Sequence, residues 1–155
     1  MSGPAIHLDL LPGSLALLRL APETPIPTWT ADAREFLTVS RTPTELSIMA
    51  DADVVPADVV AERDYRTFRV RGPMPLHLIG VMAALAVPLA DAAVPIFVIA
   101  TYDTDYLFVK AVNLERARHA LERAGHLVHE MEGGRRRVHT GGQGERCRRR
   151  RRGGR

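Results

Sequence analysis

The chain has 155 residues, 46% of them apolar, so it can bury one hydrophobic core or two small ones that share a boundary. The net charge of +3 is uneven: residues 133–155 hold ten arginines and one glutamate, a net of +9, which leaves −6 for residues 1–132. The positive net charge therefore comes from a C-terminal tail, whereas the folded part is acidic. This excludes a nucleic-acid-binding domain that is basic throughout. The single cysteine, Cys147, excludes a disulfide within the chain, as is usual for cytoplasmic proteins.

The N-terminal half contains short apolar runs separated by proline-rich segments. Ser14 to Leu20 predicts a strand, introduced by a turn at Pro12-Gly13. Three prolines between Ala21 and Thr30 predict an extended segment. The apolar runs at residues 36–41 and 45–50 are separated by Thr-Pro-Thr, which predicts a β-hairpin.

The centre of the chain predicts a connector, a strand and a helix. Residues 52–64 are polar, and Pro56 excludes a long helix there. Residues 65–71 (YRTFRVR) alternate as a half-buried strand does. Helical spacing follows, and we expect Pro88 to kink or restart that helix because proline lacks an amide donor. The apolar stripe of this helix comprises Leu78, Met82, Leu85 and Leu89.

The remaining part of the folded body predicts two strands, a second helix and a closing strand. Apolar residues 95–102 and 106–112 form the two strands, which Asp-Thr-Asp joins. We expect the helix to begin after Asn113 as its N-cap and to end at Gly125. Residues 126–130 form the closing strand. The order strand, helix, strand, strand, helix, strand predicts a ferredoxin-like α+β fold, in which an antiparallel sheet carries both helices on one face.

The first half of the chain repeats this order in abbreviated form, with its helices mostly replaced by the proline-rich segment and the connector. We therefore expect two tandem modules, residues 6–62 and 63–130, that share a continuous sheet. Residues 133–155 are rich in arginine and glycine and have no aromatic side chain to stack on bases. They predict a disordered, solvated tail, and nucleic-acid binding is expected from this tail alone, if at all.

A membrane span has to be weighed for Leu78 to Ala100, which is 23 residues long with Asp91 as its only charge. Pro88, Asp91 and Pro95 cluster within it, and a buried helix followed by a buried strand explains the same residues, so we favour that interpretation. Asp9 interrupts the N-terminal apolar stretch, and no cationic leader precedes it, so we expect no signal peptide. The expected location is the cytoplasm.

Two local patterns suit the two ends of a free amino acid. Asp103 and Asp105 flank a hairpin tip, where a carboxylate could pair with an ammonium or guanidinium group. The loop from Gly72 to Leu78 leads into a helix start, whose free amides suit a carboxylate. Each pattern also has an ordinary structural explanation, because aspartates favour turns and every strand-to-helix connection needs a loop. His77 stands near this helix start and is more often simply exposed in such a place.

Three stretches of the sequence carry a family resemblance: LLPGSLALLRL, SRTPTELSIM, and FRVRGPMPLHLIGVMAALAVPLADAAVPIFVIATYDTDYLFVK. They are similar to the tandem ACT-domain proteins, small regulatory modules of amino-acid-controlled enzymes such as aspartate kinase. The resemblance covers about Leu10 to Val128, and its most specific parts are Arg71-Gly72-Pro73, Ala90-Asp91-Ala92 and the segment ATYDTDY. It implies two ferredoxin-like (βαββαβ) ACT modules in tandem, the first of them abbreviated.

The same pattern is similar to the ligand-binding half of the cytosolic arginine sensor of the animal TOR pathway. In that protein the amino acid lies between modules, held by a loop after the first strand and by a Thr-aromatic-x-x-Asp segment. That sensor joins two tandem pairs and this chain has one, so a complete site here needs its own first module or a second copy of the chain. The ligand-binding residues that we expect from the resemblance and the local patterns are Leu76, His77, Leu78, Ile79, Gly80, Thr101, Tyr102, Asp103, Thr104 and Asp105.

These expectations describe a regulatory ACT protein that senses a free amino acid and changes its assembly or a partner's activity. The acidic loop favours a cationic amino acid. We expect a homodimer, because so short a domain leaves apolar surface exposed. The alternative is a ligand-free dimerisation or interaction module. No nucleophile or phosphate-binding motif occurs, so we expect no enzyme and no cofactor. His126 and His129 are three apart in a strand and point to opposite faces, so we expect no metal site.

Overall fold

The computed structural model describes residues 5–74 and 79–132. Leu76, His77 and Leu78, like the predicted tail of residues 133–155, lie outside the described residues. The strands are β1 (His7–Leu20), β2 (Leu37–Arg41), β3 (Leu46–Asp51), β4 (Glu62–Val70), β5 (Phe97–Ala100), β6 (Asp105–Lys110) and β7 (Leu127–Glu130), and the helices are α1 (Val81–Asp91) and α2 (Leu114–Arg123). Short 3-10 helices cover Thr28–Asp32 and Ala111–Asn113. The strands form one sheet in the order β2-β3-β1-β4-β6-β5, with β7 beside β1.

The predicted order of elements is confirmed for the second half of the chain, from β4 to β7. Both helices lie on one face of the sheet, because alternate residues of the strands point that way and are apolar. Full burial of each such side chain contributes about 1.5–3 kcal/mol, so this face holds most of the stabilising free energy. The buried core on this face comprises Leu8, Leu10, Phe68, Val70, Leu85, Leu89, Val94, Leu107, Val109, Ala117 and Leu121.

The second helix begins and ends close to the predicted residues. Asn113 stands at the N-cap position, but its side chain caps no backbone amide and instead accepts a hydrogen bond from Arg116. Ala117 and Leu121 form its buried stripe. Gly125 follows the helix with a φ of +91°, a conformation that glycine adopts without strain and that commonly ends helices.

The first helix continues through Pro88 without the restart that the sequence predicts as one outcome. Proline has no N–H to donate to the carbonyl of Ala84, so the helix itself leaves that oxygen free. Buried His126 supplies a donor, since its Nε2 lies 3.0 Å from Ala84 O. Its Nδ1 accepts a hydrogen bond from Ile6 N–H at 3.3 Å, which assigns the hydrogen to Nε2. His126 thus ties α1 to the chain before β1.

The first strand differs most from its prediction. Pro12-Gly13 does not form a turn before a strand of residues 14–20; instead β1 runs through it from His7 to Leu20. The register with β4 changes between Leu11, opposite Thr67, and Leu15, opposite Tyr65, so three residues of β1 face one residue of β4. This is a β-bulge. Gly13 has a φ of +87°, and the missing amide of Pro12 costs little at an irregular, exposed position.

The N-terminal end of β1 inserts into the second half of the fold. Its residues 7–10 lie between β4, to which they are antiparallel, and β7, to which they are parallel. The predicted all-antiparallel sheet is therefore wrong for the β1–β7 pair. Residues 15–20 of the same strand pair with β3 instead. One strand thus belongs to both halves of the sheet. The division into two tandem modules between residues 62 and 63 stays a prediction.

The N-terminal half covers the same face of the sheet as the helices do, but with irregular segments. Trp29 and residues 52–61 pack on Leu18 and Ile48. Arg63 holds this connector in place, because its guanidinium donates to the carbonyls of four of its residues at 2.8–3.5 Å. Most of the predicted extended segment is irregular, and its last residues form the short 3-10 helix.

The opposite face of the sheet curls around a smaller aromatic core. Phe36, directly before β2, lies 5.0 Å from the ring of Tyr106 and 5.2 Å from the ring of Phe108. In a flat sheet these strands, four positions apart, would be separated by about 19 Å. The contact therefore requires strong curling. Asp51 holds the turn in place: its carboxylate accepts the N–H groups of three successive residues, Arg34, Glu35 and Phe36, at 2.7–3.0 Å.

The segment weighed as a membrane span divides into α1 and β5. Within the described part of the chain, no helix has the length and apolar character needed to cross a bilayer. The prediction of a helix followed by a strand is confirmed for these residues, but the predicted burial of the strand is wrong, because β5 lies at the edge of the sheet. Leu85 and Leu89 are fully buried on the helix face, whereas the residues of β5 are half-buried or exposed.

A buried carboxylate joins β1 to β4 on the face away from the helices. Asp9 is 2% exposed, and it accepts hydrogen bonds from Arg69 Nη2 at 2.8 Å and from Arg71 Nε at 3.1 Å. Burial raises the pKa of Asp9, but the hydrogen bonds and charges of Arg71 and Arg69 outweigh burial and hold it below its usual value of 3.8. His7 and His129 stack beside this pair, with Nδ1 and Nε2 3.1 Å apart. His129 thus points away from the face that His126 occupies, as predicted.

The lowered pKa of Asp9 predicts how acid affects stability. Because the folded-state pKa lies below 3.8, the ion pair stabilises the protein fully above that pH and is lost as the pH falls through the folded pKa. We expect Asp9→Asn to lower the free energy of unfolding by about 1–2 kcal/mol at pH 7. The difference between wild type and variant should shrink below about pH 3 in urea unfolding curves. A difference that stays constant between pH 7 and pH 2.5 would contradict the assignment.

Candidate functional site

A cavity of about 550 Å³ lies where the start of α1 meets the turn between β5 and β6. One side of it is the backbone and apolar side chains of the first helical turn. The other side is the hairpin turn, with its two aspartates. The residues that line it are Met74, Ile79, Gly80, Val81, Met82, Ala83, Ala100, Thr101, Tyr102, Asp103, Thr104 and Asp105.

The helix side of this cavity, which we name the turn cavity, presents backbone amides of the first helical turn. The N-cap residue, Gly80, has no side chain that could cap these amides, and it adopts a left-handed conformation with a φ of +85°. The first intrahelical bond runs from Ala84 N–H to Gly80 O at 2.9 Å. By helix geometry the amides of Val81, Met82 and Ala83 have no partner within the helix. They carry the positive end of the helix dipole, so this side of the turn cavity suits an anionic group.

The turn side is held by its own hydroxyl groups. Thr101 Oγ1 donates to Thr104 O at 2.7 Å, and buried Thr104 donates through its Oγ1 to Val70 O at 2.6 Å. These two threonines, both expected in the ligand site, shape the turn, and their hydroxyl groups donate to carbonyls of the protein. Tyr102 is 81% exposed at the mouth of the cavity.

The two sides are joined by a close contact that requires glycine. Met74 N–H donates to Asp103 O at 2.9 Å, so the loop after β4 is bonded directly to the turn. A Cβ atom on Gly72 would lie 3.1 Å from Asp103 O and 3.3 Å from Thr104 Cβ, closer than most real contacts. The Arg71-Gly72-Pro73 segment thus has a physical role: it allows the backbone of the loop to approach the turn.

Of the ten residues expected in the site, seven line the turn cavity: Ile79, Gly80, Thr101, Tyr102, Asp103, Thr104 and Asp105. Leu76, His77 and Leu78 lie outside the described residues. Sequence reasoning missed Met74, Val81, Met82, Ala83 and Ala100, which also line the cavity. The helical periodicity could have identified Val81 and Met82. It marks the first turn of the helix, whose amides have no partner within the helix and are directed beyond its start.

The charges of the turn cavity favour a cationic or dipolar molecule. Asp103 is exposed and Asp105 is half-buried at the start of β6. Among the described residues that line the cavity, none is basic, and neither aspartate forms an ion pair with a described residue. A carboxylate at the helix amides and an ammonium or guanidinium at the aspartates would complement both sides. In residues 5–74 and 79–132, no three metal-ligating side chains cluster together.

Comparison with protein families agrees with this fold. A family model described as an ACT domain matches residues 60–123, which include β4, α1, the turn cavity and α2. A second model, described as an N-terminal domain, matches residues 13–58. The boundary between the two matches falls where the connector ends and β4 begins. Among curated proteins, none matches the chain.

Several solved structures share the fold. The protein Atu0741 from Agobacterium tumefaciens is 33% identical, with 84% of this chain and 97% of that chain covered and a TM-score of 0.79. A protein of unknown function from Vibrio cholerae, described as a possible transport protein, is 21% identical over 77% of this chain and 90% of its own, with a TM-score of 0.60. The regulatory subunit of aspartate kinase from Thermus thermophilus is 18% identical over 76% and 93%, with a TM-score of 0.51.

The last two similarities, at low identity, are evidence of a common fold. The first is closer, because a third of the residues are identical over nearly the whole of that protein. The chain therefore belongs to the same family as the Agobacterium tumefaciens protein, and its residues 60–123 match the model of an ACT domain.

Proposed function

We propose that this protein binds a free amino acid in the turn cavity and thereby regulates its own assembly or the activity of a partner. The observation that carries the proposal is that one cavity joins a helix start, with glycine as its N-cap residue, to two aspartates. The fold similarity to the regulatory subunit of aspartate kinase supports a regulatory role over a catalytic one. The amino acid carboxylate would accept hydrogen bonds from the amides of Val81 to Ala83, and its ammonium group would pair with Asp105.

The charge of the turn cavity supports a cationic amino acid as the ligand. An α-ammonium group neutralises one carboxylate and leaves the second without a partner. A side-chain ammonium or guanidinium can pair with that second carboxylate, and Asp103 lies at the exposed end of the turn, where a longer side chain would reach it. We therefore expect lysine, ornithine or arginine to bind more tightly than neutral amino acids of similar length.

Thermal unfolding in the presence of each of the twenty free amino acids and ornithine tests this proposal. A ligand at 100 times its dissociation constant should stabilise the protein by about 2.7 kcal/mol, which raises the melting temperature by about 5–10 °C for a chain of this size. Cadaverine and acetate, which each carry half of the recognised chemistry, should have little effect. If no amino acid raises the melting temperature, the protein is better explained as a ligand-free interaction module.

Replacement of Asp105 with asparagine tests the site. Asparagine keeps the size of the side chain but removes the charge, so we expect binding of the stabilising amino acid to weaken about tenfold to a hundredfold. Isothermal titration calorimetry measures the change. Asp58→Asn is the matched control, because Asp58 is an exposed carboxylate in the connector and does not line the turn cavity. Equal affinities of the Asp105 variant and the wild type would refute this site.

The regulatory part of the proposal concerns assembly. Exposed apolar side chains lie before and along α1: Ile79, which lines the turn cavity, is 94% exposed, and Val87, further along the helix, is 58% exposed. Exposed apolar groups next to a ligand cavity favour a homodimer that the ligand strengthens or weakens. Light scattering with and without the stabilising amino acid should reveal a change in molecular mass. An unchanged monomer in both conditions would leave regulation of a separate partner as the remaining form of the proposal.

A further inference from the structure

A second cavity, of about 650 Å³, lies at the β-bulge, where the two halves of the chain meet. On one edge of β1, pairing with β7 ends at Leu10 and pairing with β3 begins at Leu15, so residues 11–14 of that edge have no neighbouring strand within the described part of the chain. The bulge cavity, as we name it, opens beside this interruption. Its lining residues are Leu10, Leu11, Pro12, Gly13, Ser14, Asp64, Arg66, Ala111, Glu130, Met131 and Glu132.

Two buried polar atoms in the bulge cavity have no hydrogen-bond partner among the described residues. They are Arg66 Nε and Ser14 Oγ, and they are the two such side-chain atoms found in residues 5–74 and 79–132. Native proteins rarely leave buried donors unsatisfied, because each such donor has lost its hydrogen bond with water. Arg66 as a whole is half-buried, and its Nε is the buried atom. The other arginines of β4 are satisfied: Arg63 donates to the connector carbonyls, and Arg69 pairs with Asp9.

The position of Arg66 follows from the register. The bulge sets three residues of β1 opposite Arg66, so the strand bends away from it and opens space for the side chain. Ser14, the last of these three residues, is held through its carbonyl by Ala52 N–H at 2.9 Å, which leaves its hydroxyl free to serve a bound group. An arginine fork with a neighbouring hydroxyl is a geometry suited to a carboxylate.

The rim of the bulge cavity has the opposite charge. Asp64, Glu130 and Glu132 are exposed carboxylates that line it, so its ionisable groups sum to −2 with Arg66 included. A purely anionic molecule would be repelled by three carboxylates, and a purely cationic one would leave Arg66 unpaired. A molecule that carries a carboxylate and at least one amine complements both.

We propose that the bulge cavity is a second small-molecule site, which takes a dipolar ligand of the amino-acid class with its carboxylate on Arg66 and Ser14. This site does not depend on the proposed function of the turn cavity, since the two cavities share no lining residue. It lies on the strand that belongs to both halves of the fold, so a ligand there would contact β1, β4 and β7 together.

Nuclear magnetic resonance of the full-length, ¹⁵N-labelled protein tests the proposal, because the Nε–H of an arginine side chain gives its own signal. Each of the twenty amino acids is added in turn. We expect at least one of them to shift the signal of Arg66 Nε–H together with the amide signals of Gly13 and Ser14, and we expect its decarboxylated amine to leave the Arg66 signal unchanged. If no amino acid moves the Arg66 signal, the proposal is overturned.

Two variants separate this site from the turn cavity. With Asp105→Asn, the response of Arg66 should persist at the same ligand concentration; its loss would mean that the response is transmitted from the turn cavity, which overturns a second site. With Arg66→Met, the response at Gly13 and Ser14 should disappear, while any stabilisation through the turn cavity remains.

The stability of the unliganded protein distinguishes a binding role of Arg66 from a structural one. Because Arg66→Met removes a buried donor that has no partner among the described residues, it should raise the melting temperature by about 2–4 °C without ligand. Arg69→Met is the matched control on the same strand, and it should lower the melting temperature, since it breaks the pair with Asp9. A decrease for Arg66→Met as large as that for Arg69→Met would assign Arg66 a structural role and overturn the proposal.

Discussion

Replacement of Asp51 with alanine is expected to lower the free energy of unfolding by about 3–4 kcal/mol, the largest loss that we expect from a single polar residue of this chain. The carboxylate is 7% exposed and accepts the N–H groups of Arg34, Glu35 and Phe36. Without it, three partly buried backbone donors lose a charged acceptor at once. Chemical denaturation measures the loss, and the melting temperature should fall by roughly 6–16 °C.

The same substitution should also disturb the aromatic core on the curled face. Phe36 contacts Tyr106 and Phe108 only because the turn before β2 is anchored. The ring-proton signals of Tyr106 should therefore lose the shift caused by the neighbouring ring. Asp53→Ala is the matched control, since Asp53 is exposed two residues further along. A loss below about 1 kcal/mol for Asp51→Ala, similar to that of the control, would show that the turn is held by its apolar contacts alone.

The second large effect concerns the hydrogen bond from His126 to the carbonyl of Ala84, which the helix itself leaves without a donor. His126→Ala removes the donor to Ala84 O and the acceptor for Ile6 N–H, so we expect a loss of about 2–3 kcal/mol. Pro88→Ala restores an N–H that can donate to the same carbonyl within the helix. The cost of His126→Ala should therefore be about 1 kcal/mol smaller when Pro88 is replaced as well.

A double-mutant cycle measured by urea unfolding tests this dependence. The four proteins are the wild type, both single variants and the double variant, and the coupling energy follows from their free energies of unfolding. His129→Ala serves as the control, because His129 is more accessible and lies on the other face of the sheet. A cycle in which the two substitutions are additive would mean that His126 stabilises the protein through its packing and Ile6, with no contribution at Ala84.

The elements of the second half could be predicted because their signals are local. Alternation defined β4, helical spacing defined α1 and α2, and aspartates marked the turn between β5 and β6. The candidate site could be predicted in part for the same reason. A helix start and a hairpin turn are recognisable in the sequence, and in this fold they lie at one end of the sheet. The hydrogen bond between Met74 and Asp103 that joins them could not be read from either segment alone.

The first strand could not be predicted correctly, because a Pro-Gly pair such as Pro12-Gly13 is found both in turns and in β-bulges. Pairing with distant strands decides between the two, and the partners of β1 are 26 to 120 residues away. The ion pair of Asp9 and the three bonds to Asp51 were missed for the same reason. His126 had one usable signal: a proline inside a helix leaves a carbonyl free, so a donor should have been sought for Ala84.

The passage of β1 through both halves limits what can be transplanted. An excised fragment that begins at β4 would leave β4 and β7 facing each other across the place of a missing strand, with two hydrogen-bonding edges open to water or to other chains. If the half from β4 to β7 alone were fused to another enzyme, its sheet would therefore lack a strand and would be prone to aggregation at its open edges. We therefore expect a transplanted second half to be more stable when residues 7–10 are included, because they pair with both open edges.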